Sequence, residues 1–139
     1  MKPIEDKNFI RFCGKYLIEW QLENLKEAGI NDLLIIANDL NLARLIDFIE
    51  IAKDFCDFPT NIKFKEQNQL DLGMAGAILE AHEVFDSNEV LIFSSNDIVD
   101  TDAYELILKE SVNYEGAIIG YKVSEYFPGG YLKVDNDGF

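Results

Sequence analysis

Residues 17–37 read LIEWQLENLKEAGINDLLIIA, a helical pattern that runs directly into a short apolar stretch. The side chains near the spacing of one helix face are Leu17, Trp20, Gln21, Leu25 and Ala28. Gly29 follows as a typical helix stop, and residues 32–37 form a continuous apolar run of strand length. This stretch therefore predicts a helix followed by a buried strand.

The same unit recurs along the chain. Helical periodicity predicts helices at residues 41–55, 73–85 and 101–112. Apolar or alternating runs predict strands at 61–66, 89–93 and 116–123, and a last strand from Tyr131 to Asp135 after a turn at 128–130. Apolar strands separated by single helices favour a parallel sheet covered on both faces. We therefore expect one α/β domain over residues 1–139, a three-layer α/β/α sandwich with a mostly parallel sheet.

Composition restricts the partners of the protein. The chain has 139 residues, of which 48% are hydrophobic, enough for one packed domain. Its 12 Lys and Arg against 26 Asp and Glu give a net charge of −14, which argues against nucleic acid, since such binding starts from a basic patch. A small phosphorylated ligand needs only one or two lysines and backbone N–H groups. No apolar run is long enough to span a bilayer, so we expect a soluble protein without a membrane partner.

The cysteines and the histidine do not predict a zinc site or a nucleophile. Cys13 and Cys56 have no CxxC spacing, and His82 is the single histidine. Neither a disulfide scaffold nor a nucleophilic triad is therefore expected. Reduced thiols fit a cytoplasmic protein best.

The candidate site lies among residues that follow predicted strands, because ligands of parallel sheets bind at the carboxyl ends of the strands. These residues are Asn38-Asp39, 66–73, 94–100 and the stretch after Tyr121. The segment FSSNDIVD, residues 93–100, places Asp97 directly after a predicted buried strand. A carboxylate there could hold a divalent cation that bridges phosphate oxygens. The alternative is that Asp97 is a turn residue and that Asp100 or Thr101 caps the next helix.

A polar loop, EQNQLDLGMAGA at residues 66–77, leads into a helix that begins with small residues. Gly73 and Gly76 allow close backbone approach, and side-chain amides beside N–H groups of the first helical turn could read the edge of a base. A tight strand-to-helix connection explains the same small residues equally well. Near the amino terminus, Lys7 could contact a phosphate as a point charge or could be merely solvated.

Several motifs then match one family in the right order. GKYLIEWQLENLKEAGI, residues 14–30, resembles the segment after the signature loop of sugar-phosphate nucleotidyltransferases, usually G-K-P-L-I-E and a helix ending in A-G-I. LGMAGA at residues 72–77 looks like the family's L-G-T-A-G-A, and Asn96-Asp97 matches its strand-end G-D. Gly130-Tyr131 and Val134-Asp135 resemble its GY..VD strand. Together the motifs cover nearly the whole chain.

The resemblance implies a Rossmann-like domain that transfers a nucleotidyl group from a nucleoside triphosphate to a sugar 1-phosphate with release of pyrophosphate. It implies that Lys7 contacts phosphate and that Asp97 coordinates Mg²⁺, both as catalytic residues. The nucleotide-binding residues that it implies are Gln67, Asn68, Gln69, Gly73, Met74 and Asn96. A homo-oligomer is compatible with this resemblance.

The chain departs from the family pattern at both ends. It starts at Met1, Lys2 and Pro3, where the family has a buried strand and a G-x-G-T-R loop, and ends at Phe139 before the family's E-K-P segment. We therefore expect a form truncated at both ends that lacks the family's first strand and has little or no transferase activity alone. The alternative is a non-catalytic nucleotide-binding, regulatory or assembly module of the same fold. A receiver domain fits less well, because no acidic pair follows the first predicted strand.

Overall fold

The computed structural model describes residues 6–85, 89–95, 97–126, 128 and 130–134. The described chain enters through a 3-10 turn at Lys7–Phe9 and a hairpin of two antiparallel strands, β1 (Arg11–Phe12) and β2 (Lys15–Tyr16). Cys13 and Gly14 turn the hairpin with φ angles of 49° and 89°, the left-handed backbone that two-residue hairpin turns need.

Two helix–strand units carry the packed part of the fold. Helix α1 (Leu17–Glu27) leads into β3 (Asp32–Ala37), and α2 (Asp39–Ala52) leads into β4 (Asn61–Glu66). The two strands pair in parallel, with Asp32 opposite Asn61 and Ala37 opposite Glu66. The Gln67 N–H donates to the Ala37 carbonyl over 2.8 Å. Both strands therefore end at the same edge, as parallel pairing requires.

The predicted helix and strand within residues 17–37 and the predicted strand at 61–66 are confirmed. The helix predicted at 41–55 starts earlier, at Asp39, and ends at Ala52. Its start is fixed by Asn38, whose side-chain oxygen accepts the Asn41 N–H over 3.0 Å. An asparagine that satisfies one of the unpaired N–H groups of the first turn is a preferred cap.

The core lies where α1 and α2 pack on β3 and β4. Its buried members are Ile18, Leu22, Ala37, Leu45, Ile49, Ala52 and Phe58. Beside it, the rings of Phe9, Tyr16 and Phe48 meet edge to face with centroids 5.4 to 5.6 Å apart. Burial of one large apolar side chain stabilises a fold by about 1.5–3 kcal/mol. This packing therefore fixes the amino-terminal turn and hairpin against α2.

Two further helices complete the described elements. Helix α3 (Gly73–Glu80) is followed by a 3-10 turn at His82–Val84, so the helix predicted at 73–85 is divided. Helix α4 (Thr101–Glu110) passes into a 3-10 turn at Ser111–Asn113. Asp100 accepts the Asp102 N–H over 3.3 Å and caps α4, which confirms the capping interpretation of this residue. Among the described residues, no helix has both the length and the apolar character that a membrane crossing requires.

The strands predicted at 89–93, at 116–123 and from Tyr131 are wrong for the residues that the structure describes there. Each sheet within the described ranges has two strands, and none of these segments pairs as a third. Asp135 lies outside the described residues. An apolar run indicates a tendency to be buried, but a strand also needs a partner whose N–H and C=O groups continue the ladder.

Exposure agrees with that reading, because Val90, Ile92 and Ile118 are all exposed. Within the described part of the chain, β3 is paired along one edge only, the edge that faces β4. The mixed α/β character of the fold is confirmed. The three-layer sandwich and the mostly parallel sheet are not.

Candidate functional site

A cleft of about 430 Å³ opens at the carboxyl ends of β3 and β4. Asn38 and Asn41 line it just beyond β3, and Gln67 lines it just beyond β4. Lys7 reaches it from the amino-terminal turn, and Ser95 from the segment before α4. Because ligands of parallel strands bind at this edge, the cleft is the candidate binding site.

Lys7 lies on an anchored turn rather than on a free tail. Asp6 caps this turn by accepting the Asn8 N–H over 2.9 Å. The Arg44 guanidinium stacks on the Phe9 ring, 3.9 Å from its centroid, and so holds the far end of the turn. Among the described residues that line the cleft, Lys7 is the single lysine or arginine. Its ammonium group is exposed and available to an anion.

Two residues that line the cleft, Asp6 and Asn8, also carry buried oxygens. Asp6 and Asn8 are 7% and 9% exposed. Asp6 Oδ2 and Asn8 Oδ1 find no hydrogen-bond partner among the described residues. Buried polar atoms are normally paired, and an unpaired one costs about 1–3 kcal/mol. Because both atoms are shielded from solvent, a donor from a ligand could reach them only if the turn moved.

Gln67 holds the loop after β4 closed. Its Nε2 donates to the Gly73 carbonyl over 2.7 Å and to the Gln69 carbonyl over 3.2 Å. Both amide hydrogens are thus committed to the loop, and Oε1 is left as the acceptor that a ligand can meet. Gln67 therefore shapes the cleft edge as well as lining it.

The other predicted residues of this loop have separate positions. Asn68 bonds to Glu80 through both its backbone N–H and its side-chain amide, each over 3.3 Å. Gly73 opens α3 with a φ of 55°, a backbone conformation that favours glycine. Gln69 and Met74 are exposed, and neither lines the cleft.

Asp97 lies two residues along the chain from Ser95, which lines the cleft. The Asp97 side chain is exposed, and the residue lines a neighbouring cavity of about 580 Å³ beneath α4 rather than the cleft itself. Its backbone N–H donates to the Ser94 carbonyl over 3.4 Å. Asn96, predicted beside it, lies outside the described residues. The structure thus brings Lys7 and Gln67 to one cleft and places Asp97 on the segment that borders it.

Tyr104 of α4 packs behind this segment. It is 1% exposed, its ring meets Phe93 edge to face at 6.3 Å, and its hydroxyl has no hydrogen-bond partner among the described residues. Burial, and after it the negative charge of Asp97, raise the pKa of the Tyr104 hydroxyl above its usual value near 10. The phenol therefore stays protonated in the folded state at a pH where the unfolded chain begins to lose this proton.

Tyr104→Phe is expected to raise the free energy of unfolding by about 1 kcal/mol, because it removes a buried hydroxyl that has no partner. Because the pKa of Tyr104 is raised on folding, its ionisation does not reduce the free energy of unfolding below pH 10, where the phenol is protonated in both states. Above pH 10 the unfolded chain loses this proton first, so the wild type becomes less stable as the pH rises. The variant should therefore gain further over the wild type above pH 10. Urea unfolding at pH 8 and at pH 10.5 measures both effects.

Tyr126→Phe is the matched control, because Tyr126 is exposed and its change should stay within about 0.5 kcal/mol. A loss of more than 1 kcal/mol in Tyr104→Phe at pH 8 would show that the hydroxyl is hydrogen-bonded after all.

The metal-binding capacity of the described residues is low. Within the ranges that the structure describes, no three or more His, Cys, Asp and Glu side chains come together to hold a metal ion. Mg²⁺, however, commonly binds through one or two carboxylates together with substrate phosphates and water. A single exposed carboxylate such as Asp97 therefore fits a cation that arrives with a nucleotide, and it does not fit a resident metal centre.

Comparison with known proteins gives the class. The chain matches the nucleotidyl transferase family over residues 5–138 and belongs to that family. No curated protein and no solved structure matches the chain. Membership implies that nucleotidyl transfer, with a nucleoside triphosphate as donor, is the general activity of the class.

Three of the polar residues that complete the cleft were not predicted from the sequence: Asp6, Asn8 and Asn41. Asn38 was predicted as a candidate, because it directly follows a predicted buried strand, and Asn41 lies three residues further on. Asp6 and Asn8 carried no such signal, because their burial depends on the fold of the amino-terminal turn.

Proposed function

We propose that this protein transfers a nucleotidyl group from a nucleoside triphosphate to a sugar 1-phosphate, with release of pyrophosphate. The observation that carries the proposal is the meeting of Lys7 and Gln67 at one cleft, from positions far apart in the sequence, at the carboxyl ends of parallel strands. This meeting supports a phosphate contact by Lys7 and a base contact by Gln67 within one site. Membership in the nucleotidyl transferase family supports the same reaction class.

The proposed reaction is an in-line displacement at the α-phosphorus. An oxygen of the sugar 1-phosphate forms a new bond to that phosphorus while the bond to the β-phosphate oxygen breaks, and pyrophosphate leaves with the electron pair. Lys7 would neutralise phosphate charge, and Asp97 would hold Mg²⁺. Bound Mg²⁺ would supply charge neutralisation on the phosphate oxygens. Such transfers depend mainly on positioning and electrostatic stabilisation.

The loop after β4 would take the nucleoside. Gln67 Oε1 can accept a hydrogen bond from a base, and the exposed positions Gln69 and Met74 stand where the loop enters α3. Gly73 permits close approach of the backbone, and Asn68 would keep the loop tied to Glu80. Asn96 is proposed as a further nucleotide contact next to Asp97.

The sugar assignment is supported by the resemblance of residues 14–30, 72–77 and 130–135 to motifs of the sugar-phosphate nucleotidyltransferases. The buried oxygens Asp6 Oδ2 and Asn8 Oδ1 do not bear on it, because both are shielded from solvent.

We further propose that turnover by the isolated chain is slow. Lys7 is the single cation among the described cleft residues, and the whole chain carries a net charge of −14. Both features weaken stabilisation of the charge on a reacting triphosphate. The same shortage favours a second candidate function, a regulatory or assembly module that binds nucleotide without turning it over. Free cysteines at positions 13 and 56 support a cytoplasmic setting.

The test is a pyrophosphate-release assay with each nucleoside triphosphate against a panel of sugar 1-phosphates, with Mg²⁺. We expect slow, sugar-dependent release that Lys7→Met lowers further. Lys109→Met is the matched control, since that exposed lysine of α4 does not line the cleft. Nucleotide binding by calorimetry without any release would favour the regulatory module. Absence of both binding and release would overturn both functions.

A further inference from the structure

Helix α1 presents a polar face to the segment that carries Asp97. Gln21, Asn24 and Glu27 follow one another at three-residue spacing, so they lie along one side of the helix. Each reaches a residue between 94 and 101, more than seventy positions away in the sequence. Gln21 is 0% exposed, although a buried amide normally costs energy unless it is hydrogen-bonded.

The contacts are directed at backbone carbonyls. Gln21 Nε2 donates to the Ser94 carbonyl over 3.1 Å and also to the Asp97 carbonyl. Asn24 Nδ2 donates to the Val99 carbonyl over 2.8 Å. This segment forms no strand in the described structure, so it has no ladder to fix its course. The side-chain amides of α1 take over that role.

Glu27 closes the contact at the end of the segment. Its Oε2 accepts the Thr101 hydroxyl over 2.9 Å, at the first residue of α4. The segment is therefore held at its start by Gln21, in its middle by Asn24 and at its end by Glu27. Of these three α1 side chains, Gln21 is the one that hydrogen-bonds to Asp97, the candidate metal ligand.

We propose that Gln21 is a positioning residue that sets where the Asp97 carboxylate stands. A primary amide has two N–H donors, and here one holds Ser94 and the other holds Asp97 itself, so the short turn between them is fixed at both ends. The inference rests on the proposed function in one respect, the metal-binding role of Asp97. Partners that orient a metal ligand typically change metal affinity by about 10–100-fold when they are removed.

The decisive variant is Gln21→Met, which keeps the length and packing of the side chain and removes both donors. The probe is the Mn²⁺ complex of a nucleoside triphosphate, titrated into ¹⁵N-labelled protein and followed by paramagnetic broadening of the amide signals of residues 97–99. We expect the Mn²⁺ concentration for half-maximal broadening to rise about tenfold. We also expect the amide signals of residues 94–100 to shift in the metal-free protein.

Leu22→Val is the matched structural control. Leu22 neighbours Gln21, is 1% exposed and has no hydrogen bond to the Asp97 segment, so its variant should lower stability without moving the Mn²⁺ titration. Equal movement in Leu22→Val and Gln21→Met, at comparable loss of stability, would overturn the positioning role. So would a Gln21→Met protein whose Mn²⁺ titration and signals at residues 94–100 match the wild type.

The two proposals fail in different ways. If Mn²⁺ broadens no wild-type signal at residues 97–99, the metal role of Asp97 in the proposed function fails. The positioning of the segment is then decided by the metal-free amide shifts, and unchanged shifts in Gln21→Met overturn it. If wild-type signals broaden and Asp97→Asn abolishes the effect while Gln21→Met does not alter it, only the positioning proposal fails.

Discussion

Gly76→Ala is expected to dismantle the loop after β4 and to weaken nucleotide binding by at least about tenfold. A Cβ at position 76 would lie 2.3 Å from the Gln69 carbonyl oxygen and 2.8 Å from Gln67 Nε2, distances that real Cβ atoms do not adopt. The nearer atom is backbone, so the loop itself must move. Overpacking of this kind costs about 1–3 kcal/mol, against about 1 kcal/mol that alanine gains over glycine in a helix.

The measurement pairs urea unfolding with the side-chain amide signals of Gln67, which should lose the shifts of a hydrogen-bonded group. Gly116→Ala is the matched control, because a Cβ there meets nothing within 4 Å, and it should change stability by less than about 0.5 kcal/mol. If Gly76→Ala is as stable as the wild type and its Gln67 signals are unchanged, then close packing does not hold the loop.

The first helix and strand could be predicted because their patterns record burial directly. The helix itself is confirmed, but its fully buried face is Ile18, Gln21, Leu22 and Leu25, so only Gln21 and Leu25 of the predicted face are fully buried. The other predicted members, Leu17, Trp20 and Ala28, are half-buried. Side chains in β3 form a continuous apolar run, and its partner β4 places Ile62 and Phe64 against the same core. Local periodicity and tertiary packing agree here, so the helix end at Glu27 and the strand at Asp32–Ala37 follow from the sequence.

The later strands could not be predicted in the same way. Residues 89–93 have the same apolar character as β3, yet they have no ladder partner in the described structure. Pairing depends on which backbone lies beside the segment, and a one-dimensional pattern does not contain that information. The hairpin at residues 11–16 was not predicted either, because it forms without a recognisable strand pattern. Its strands have two residues each, and Cys13 takes the left-handed position that Asn or Asp usually marks.

The candidate site likewise contains residues that could be predicted from the sequence and residues that could not. Lys7 and Gln67 were predicted from chemistry and strand-end position, and the structure brings both to the cleft. The spatial role of Gln21 was hidden, because at sequence level it only occupied one position of the buried face of a helix. A polar amide on that face was the available signal, since a fully buried amide needs hydrogen-bond partners. Those partners, Ser94 and Asp97, could be found only from the fold.

Asp97→Asn is expected to abolish the Mg²⁺ dependence of nucleoside triphosphate binding. Asparagine keeps the shape and the backbone carbonyl that Gln21 holds, and removes only the negative charge that a hard cation needs. The described residues offer no cluster of other ligands to replace it. Loss of a residue that only orients a metal ligand already lowers metal affinity by about 10–100-fold. Because Asp97 is the proposed ligand itself, we expect the Mg²⁺-dependent affinity to fall by at least about 100-fold. Calorimetric titration of the triphosphate with and without Mg²⁺ measures this.

Asp100→Asn is the control that separates a local ligand from a general change in charge. It alters the net charge by the same amount, three residues along the same segment. Asparagine at position 100 would still accept the Asp102 N–H and would therefore still cap α4. Its Mg²⁺ dependence should equal that of the wild type. Equal losses of Mg²⁺ dependence in both variants would mean that the negative field of this acidic segment, rather than coordination by Asp97, attracts the cation. A loss confined to Asp97→Asn would assign the cation to that one carboxylate.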